Sequence, residues 1–231
     1  MTKEAKVRKI AKLLRKAYGT PEPRRTPPVD ELVRTILSQN TSDKNSVPAF
    51  WALKKRFGTW ERVLRTPKIS IAAAIKHAGL ANIKSARIIG VLKQIKEREG
   101  RISLARLKGM GVDEGLSYLK SLEGIGPKTA ACVLLFSFGK PTMPVDTHIF
   151  RVAKRLGIIA ADIDMEEAHK ILTLMIPKDL IYEFHLGIIS HGRETCRATG
   201  PKCGSCLLSR HRLCLAGPRQ ARSATGGVRF L

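Results

Sequence analysis

The chain has 231 residues, 43% of them hydrophobic, enough to bury a sizeable core in one domain or two small ones. Its 42 Lys and Arg against 19 Asp and Glu give a formal net charge of +23, an excess that points to a polyanionic partner. There is no run of about 18 apolar residues and no apolar N-terminal stretch, so the chain is expected to be soluble, without a membrane span or a standard secretory signal.

Taken in order, Val7, Ile10, Leu13, Leu14 and Ala17 share one face of a helix over residues 2–17, with Lys3, Lys6, Lys9, Lys12 and Lys16 elsewhere. Residues 20–28 contain four prolines and read as an extended linker. Asp30 is expected to cap a helix through Leu32, Val33, Ile36 and Leu37, which stops at the polar break Ser38-Gln39-Asn40-Thr41-Ser42-Asp43. Ser42 can cap the next helix, to about residue 57, with Val47, Phe50, Trp51 and Leu53 facing inward. A short helix over 60–64 follows, then one opened by Ser70 and stopped by Gly79. The run Leu80-Ala81-Asn82-Ile83-Lys84 leads into a long amphipathic helix carrying Ile88, Val91, Leu92 and Ile95.

Asp113 is expected to cap a helix over 115–121, and then comes Leu122-Glu123-Gly124-Ile125-Gly126-Pro127-Lys128-Thr129-Ala130. Gly124 and Gly126 flank one apolar residue, which suits a tight hairpin with a buried tip. Pro127 stands where a helix begins. The segment reads helix, glycine hairpin, helix, and its N–H groups make a site for an anion such as a phosphate. Lys128 falls in the first turn of the second helix. A cation there faces the positive end of the helix dipole, which favours the nucleophilic amine; a surface lysine touching a phosphate is the plainer reading. Cys132 reads as a small core residue. Asp146, in Pro144-Val145-Asp146-Thr147-His148, precedes another apolar-periodic run and suits an N-cap. Asp164-Met165-Glu166-Glu167 has a capping-box pattern, and Pro177 is expected to start the last long helix. No segment reads as a strand.

Four of the five cysteines lie within nineteen residues, as Cys196-x6-Cys203-x2-Cys206-x7-Cys214. Four thiolates this close suit tetrahedral zinc or a [4Fe–4S] cluster, and imply a reducing compartment. On ligand chemistry alone zinc is favoured, although the gap between Cys196 and Cys203 is wide for a zinc knuckle. Residues 215–231 carry Arg219, Arg222 and Arg229 and read as a mobile basic tail.

The hairpin segment from Glu123 to Ala130, followed by Pro144-Val145-Asp146-Thr147-His148-Ile149-Phe150-Arg151-Val152, resembles the signature of the helix-hairpin-helix, Gly/Pro-rich loop, aspartate DNA glycosylases. The chain is most similar to the endonuclease III branch, which carries lysine where Lys128 stands; the resemblance spans residues 5 to 214. It implies base-excision glycosylase activity, with abasic-site lyase activity on damaged, oxidised-pyrimidine DNA. Lys128 would be the nucleophile and Asp146 its carboxylate partner. DNA contacts would come from the hairpin residues Gly124, Ile125 and Gly126, from His148, and from two loops that enter the duplex. One loop holds Gln39 and Asn40, either of which could align with the family's usual glutamine. The other holds Leu80, Ala81 and Asn82. Without the resemblance, both loops read as ordinary turns or caps. The branch's C-terminal Cys-x6-Cys-x2-Cys-x5-Cys loop holds a [4Fe–4S] cluster and matches the first three cysteines here. The last gap has two extra residues, which puts the geometry at Cys214 in question and leaves His211 as a substitute ligand. A monofunctional mismatch glycosylase and a non-catalytic DNA-binding module are the alternatives.

The expected architecture is all-α, about ten helices in two lobes. Residues 1–29 form an N-terminal helix and linker packed on the cluster lobe. Residues 30–137 form a helical domain that includes the helix-hairpin-helix at 113–137. Residues 138–214 supply the C-terminal helices and cluster loop, and 215–231 the tail. DNA is expected across the cleft between the lobes of a monomer, in a cytoplasmic, nucleoid-associated protein.

Overall fold

The computed structural model describes residues 1–216, and all regular structure within them is helical. Twelve α-helices run in the order α1 Lys3–Tyr18, α2 Pro28–Ser38, α3 Asp43–Phe57, α4 Trp60–Arg65, α5 Lys68–Ala74, α6 Ala81–Glu99, α7 Val112–Lys120, α8 Pro127–Phe138, α9 Thr147–Arg155, α10 Met165–Met175, α11 Ile181–Glu194 and α12 Leu207–Arg210. No helix among the described residues is long and apolar enough to cross a membrane. Most of the basic tail read from the sequence, from residue 217 on, lies outside the described residues.

Two apolar cores organise the chain. The first takes side chains from α2 to α7 and the first half of α8, ending at Leu134. The second begins at Leu135 and takes α9 to α12, together with α1 from the other end of the sequence. Helix α8 therefore belongs to both, and its residues from Thr129 to Leu135 are all buried. Helix α1 reaches the second core because Val7, Ile10, Ala11, Leu13 and Leu14 form one buried stripe, which packs on α11. Close approach is possible because α11 carries Gly187 at the contact, where an added Cβ would sit 3.1 Å from Leu14 Cβ. Arg15 closes the edge with a two-pronged pair to Glu183, at 2.9 and 2.7 Å. Residues 20–27 cross back to the first core in extended form, held by Arg24 N on the Tyr182 hydroxyl and Thr26 N on Phe136 O, both 3.1 Å.

Several expected caps belong to other residues. Helices α2 and α5 start at prolines or just after them, with Pro27 and Pro67 at the N-cap, and α7 starts after Gly111, so Asp30, Ser70 and Asp113 lie inside their helices. Ser42 is the N-cap of α3 by position but its side chain makes no capping bond. Helix α11 begins at Ile181, one turn after Pro177. Asp146 and Asp164 do cap, each accepting a backbone N–H at 2.8 Å. Trp51 and Val47 do not face inward; they are 56% and 46% exposed, with the Arg34 guanidinium over the Trp51 ring.

Freed from capping, Asp30 has a tertiary role. Its Oδ1 accepts the Trp60 indole N–H at 2.8 Å and Lys54 Nζ at 3.3 Å, fixing α4 and α3 to the start of α2. Trp60 is buried, so Asp30→Ala strands its N–H. The expected cost is about 1–3 kcal/mol, read as a lower denaturant midpoint without a change in slope.

Candidate active site

The hairpin between α7 and α8 forms as its glycines require. Gly124 takes φ +81°, which favours glycine, and an added Cβ there would also meet Arg87 Nε at 3.0 Å. Ile125 is the buried tip between the two glycines, and its N–H closes the turn on Leu122 O at 3.1 Å. Gly126 is the N-cap of α8 and Pro127 its first residue, so Lys128 projects from the first turn of a helix fixed in both cores. Asp146 stands at the N-cap of α9, its Oδ1 held by Ile149 N.

Lys128 and Asp146 line one cleft of about 950 Å³, together with Gln39, Asn40 and His148. Leu80, Ala81, Asn82 and the hairpin residues Gly124, Ile125 and Gly126 are not among its lining residues. Gln39 and Asn40 differ in posture. Gln39 Oε1 accepts a hydrogen bond from Arg87 on α6, which turns it back into the protein. Asn40 is exposed, with φ +52°, a conformation asparagine tolerates. Leu80 is also left-handed, at φ +49°, and 51% exposed. His148 Nδ1 sits 3.2 Å from Arg151 Nη2.

The cleft also holds groups that sequence reading passed over. Glu31 and Arg34 reach it from α2, and His185 from α11. Burial raises the Glu31 carboxyl above its ordinary value, against the opposing pull of Arg34, the Thr35 and Thr26 hydroxyls and Lys128. Thr35 Oγ1 donates to Glu31 Oε1 at 3.4 Å. Among the described residues the Arg34 Nε is buried without a partner, with the guanidinium 4.4 Å above the Phe50 ring. His185 is pushed down to about 4 by burial, which outweighs the Asp146 charge, so it is neutral at physiological pH. Its Nδ1 lies 3.1 Å from Pro144 O and must donate to that carbonyl, leaving Nε2 as an acceptor. Cys132 lines the cleft too, its thiol pushed up to about 12 by burial, so it stays protonated. These residues occupy ordinary helical positions in separate segments, and only the fold brings them together.

The four cysteines line a second cavity, of about 200 Å³. The wider last gap is absorbed by α12 and a left-handed Arg212, after which Cys214 returns to the cavity; His211 is exposed and does not line it. Arg155, the last residue of α9, anchors the loop. Its guanidinium contacts Cys196 Sγ at 3.4 Å and donates to Arg197 O and Ala198 O, at 2.7 and 3.2 Å. Its carbonyl accepts from Leu215 N at 2.8 Å and Cys214 Sγ at 3.4 Å. Buried His191, pushed down to about 4 by desolvation, stands between the Tyr18 hydroxyl at 3.1 Å and Cys206 Sγ at 3.7 Å. Among the described residues no three His, Cys, Asp or Glu groups converge on a single-ion site; the thiols surround a larger space.

Residues 33–178 match the family described as HhH-GPD superfamily base excision DNA repair protein. The chain is 34% identical over 191 residues to endonuclease III of Haemophilus influenzae, covering 83% of this chain and 86% of that one. It belongs to the endonuclease III family of the HhH-GPD superfamily. A putative DNA glycosylase of Arabidopsis thaliana is 38% identical over 165 residues, 71% of this chain; the match spans only 56% of the plant protein. A solved non-covalent endonuclease III–DNA complex superposes with a TM-score of 0.79 at 27% identity, over 94% of this chain and 97% of that one. The HhH-GPD fold here thus has a solved relative in complex with DNA, and the hairpin, Lys128 and Asp146 of this chain lie within the matched residues 33–178.

The raised Glu31 carboxyl has a stability consequence. Between its ordinary value, about 4.3, and its raised folded value, the folded state binds more protons than the unfolded state, so stability falls as pH rises through that window. Glu31→Gln is therefore expected to be more stable than the wild type at pH 7. The advantage should vanish once the pH drops below the ordinary carboxylate value. Urea midpoints at pH 7 and pH 4 check this.

Proposed function

We propose that this chain is a base-excision DNA glycosylase with abasic-site lyase activity, acting on double-stranded DNA as a monomer and preferring oxidised pyrimidines. The observation that carries the reading is the presence of Lys128 and Asp146 on the walls of one cleft, each at the N-terminus of a different buried helix. The net charge of +23 supports a DNA partner, and the lesion class rests on the relationship to endonuclease III.

The target base must leave the stack, because the duplex shields C1′. The Lys128 amine then attacks C1′, and the N-glycosidic bond breaks as the base departs. The sugar ring then opens as C1′–O4′ breaks, turning the aminal into a Schiff base; this makes the C2′ proton acidic, and its loss expels the 3′ phosphate by β-elimination, breaking the strand on the 3′ side. Asp146 accepts the proton released by the lysine and stabilises positive charge on the sugar. Its N-cap bond occupies Oδ1 and fixes the carboxylate's orientation for this task. Neutral His185, which lines the same cleft, adds no competing positive charge there. Main-chain N–H groups of the hairpin clamp a phosphate near the lesion without reading sequence.

For the cysteine loop we propose a [4Fe–4S] cluster held by Cys196, Cys203, Cys206 and Cys214. Their four-thiol donor set and shared cavity suit it, and the cavity is roomy for one zinc ion. When bound, it would supply cross-links that hold a basic loop in place.

Lys128→Ala should abolish borohydride trapping to abasic DNA and lower base excision by several orders of magnitude. Asp146→Asn keeps a good N-cap, so it should lose excision rate while keeping wild-type stability. Trapping that survives Lys128→Ala overturns the lyase assignment. A G·T duplex processed in preference to a thymine-glycol duplex in single turnover overturns the lesion class. Fresh protein should be brown with about four irons per chain; zinc in place of iron overturns the cluster.

A further inference from the structure

Lys84 is 2% exposed and, among the described residues, forms no ion pair. Its Nζ donates to Leu37 O and to Ala78 O, at 2.7 Å each. Leu37 lies in the last turn of α2, and Ala78 ends the short 3₁₀ turn Lys76–Ala78. Carbonyls at such ends lack partners within their own helix and carry the negative end of its dipole. They can therefore hold an ammonium where no carboxylate is present. The arrangement is still costly, and burial lowers the lysine's pKa. An apolar side chain of similar volume generally packs such a site at least as well, so packing alone does not account for a lysine.

What the two carbonyls adjoin is more telling. Leu37 is three residues before Asn40 and Ala78 two before Leu80. Both Asn40 and Leu80 are exposed and left-handed, at φ +52° and +49°. For leucine that conformation is strained. Leu80 and its neighbour Ile83 are 51% and 55% exposed, two large apolar groups held out into solvent. A base stack is apolar enough to receive them. One helical turn beyond Lys84, Arg87 bonds Gln39 and packs beneath Gly124 of the hairpin.

We infer that Lys84 is a positioning residue, a strut that joins the roots of the two DNA-entering loops so that Asn40 and Leu80 enter the duplex as a unit. The inference deepens the glycosylase reading and rests on it. The strut touches no DNA and takes no part in bond breaking. It fixes the distance between two wedges whose strained tips would otherwise relax independently.

The test uses the full chain and a duplex carrying a tetrahydrofuran abasic analogue beside 2-aminopurine, whose fluorescence reports unstacking. The wild type should give a fluorescence step on binding. Lys84→Met fills the space but donates no hydrogen bond. It should shrink the step and reduce the preference for the analogue over intact duplex on the order of tenfold, as expected for misplaced rather than missing groups. Affinity for intact duplex should stay unchanged, which a general loss of folding would not allow. A second measurement needs no Lys84 variant: Asn40→Ala and Leu80→Ala should be non-additive in that preference. A wild-type step matched by folded Lys84→Met, or strict additivity of the two loop variants, overturns the strut and leaves the glycosylase reading standing. A wild-type protein that gives no step overturns the glycosylase reading, and the strut's role with it.

Discussion

Everything in the cleft depends on the burial of α8. The helix begins at the hairpin, carries Lys128 in its first turn, and then sinks seven consecutive residues, Thr129 to Leu135, into two cores at once. A helix packed on all sides cannot rotate or slide without opening cavities against its neighbours, and each large core residue lost that way costs about 2–5 kcal/mol. The lysine therefore stands on a support held in both cores. Asp146 has a similar footing, because α9 is buried through Ile149, Val152 and Ala153. Two flexible polar groups are thus fixed by apolar packing a few residues behind them. Such packing is the usual way to hold polar side chains at fixed positions in a site.

The electrostatics of the cleft follow from the same burial. Acidic residues are scarce in this chain, and Glu31 is half-withdrawn into the cleft with its carboxyl raised. His185 is buried and neutral. Arg34 lies with its guanidinium over the Phe50 ring. The cleft sets Arg24, Arg34, Lys128 and Arg193 against Glu31, Asp43 and Asp146, so charges of both signs nearly balance in its walls. The large positive excess sits outside it, where polyanions are met.

The helices were legible in the sequence because a 3.6-residue apolar period survives at almost every buried stripe, as in Val7, Ile10 and Leu14 of α1. Caps were less so. A proline or glycine one to three residues upstream took the N-cap in α2, α5 and α7, and this released Asp30 for Trp60 and Lys54. Periodicity also could not separate a core from an exposed face, which is why Trp51 was assigned to the wrong side. Within the cleft, Lys128 and Asp146 were legible because each sits in a short local pattern of glycine, proline and cap. Glu31 and His185 were not, nor was Lys84, which lies outside the cleft. They come from helices far apart in sequence, look like ordinary helical residues, and acquire their meaning only from what tertiary packing sets against them.

Helix α9 has a property that follows from its two ends. Asp146 caps one end, and Arg155 at the other grips the cysteine loop through its guanidinium and its carbonyl. Nine residues at 1.5 Å each make a rigid rod of about 13 Å between them. One buried helix thus ties the anchor of the thiol-lined loop to a wall of the cleft, so both ends share a single footing in the second core.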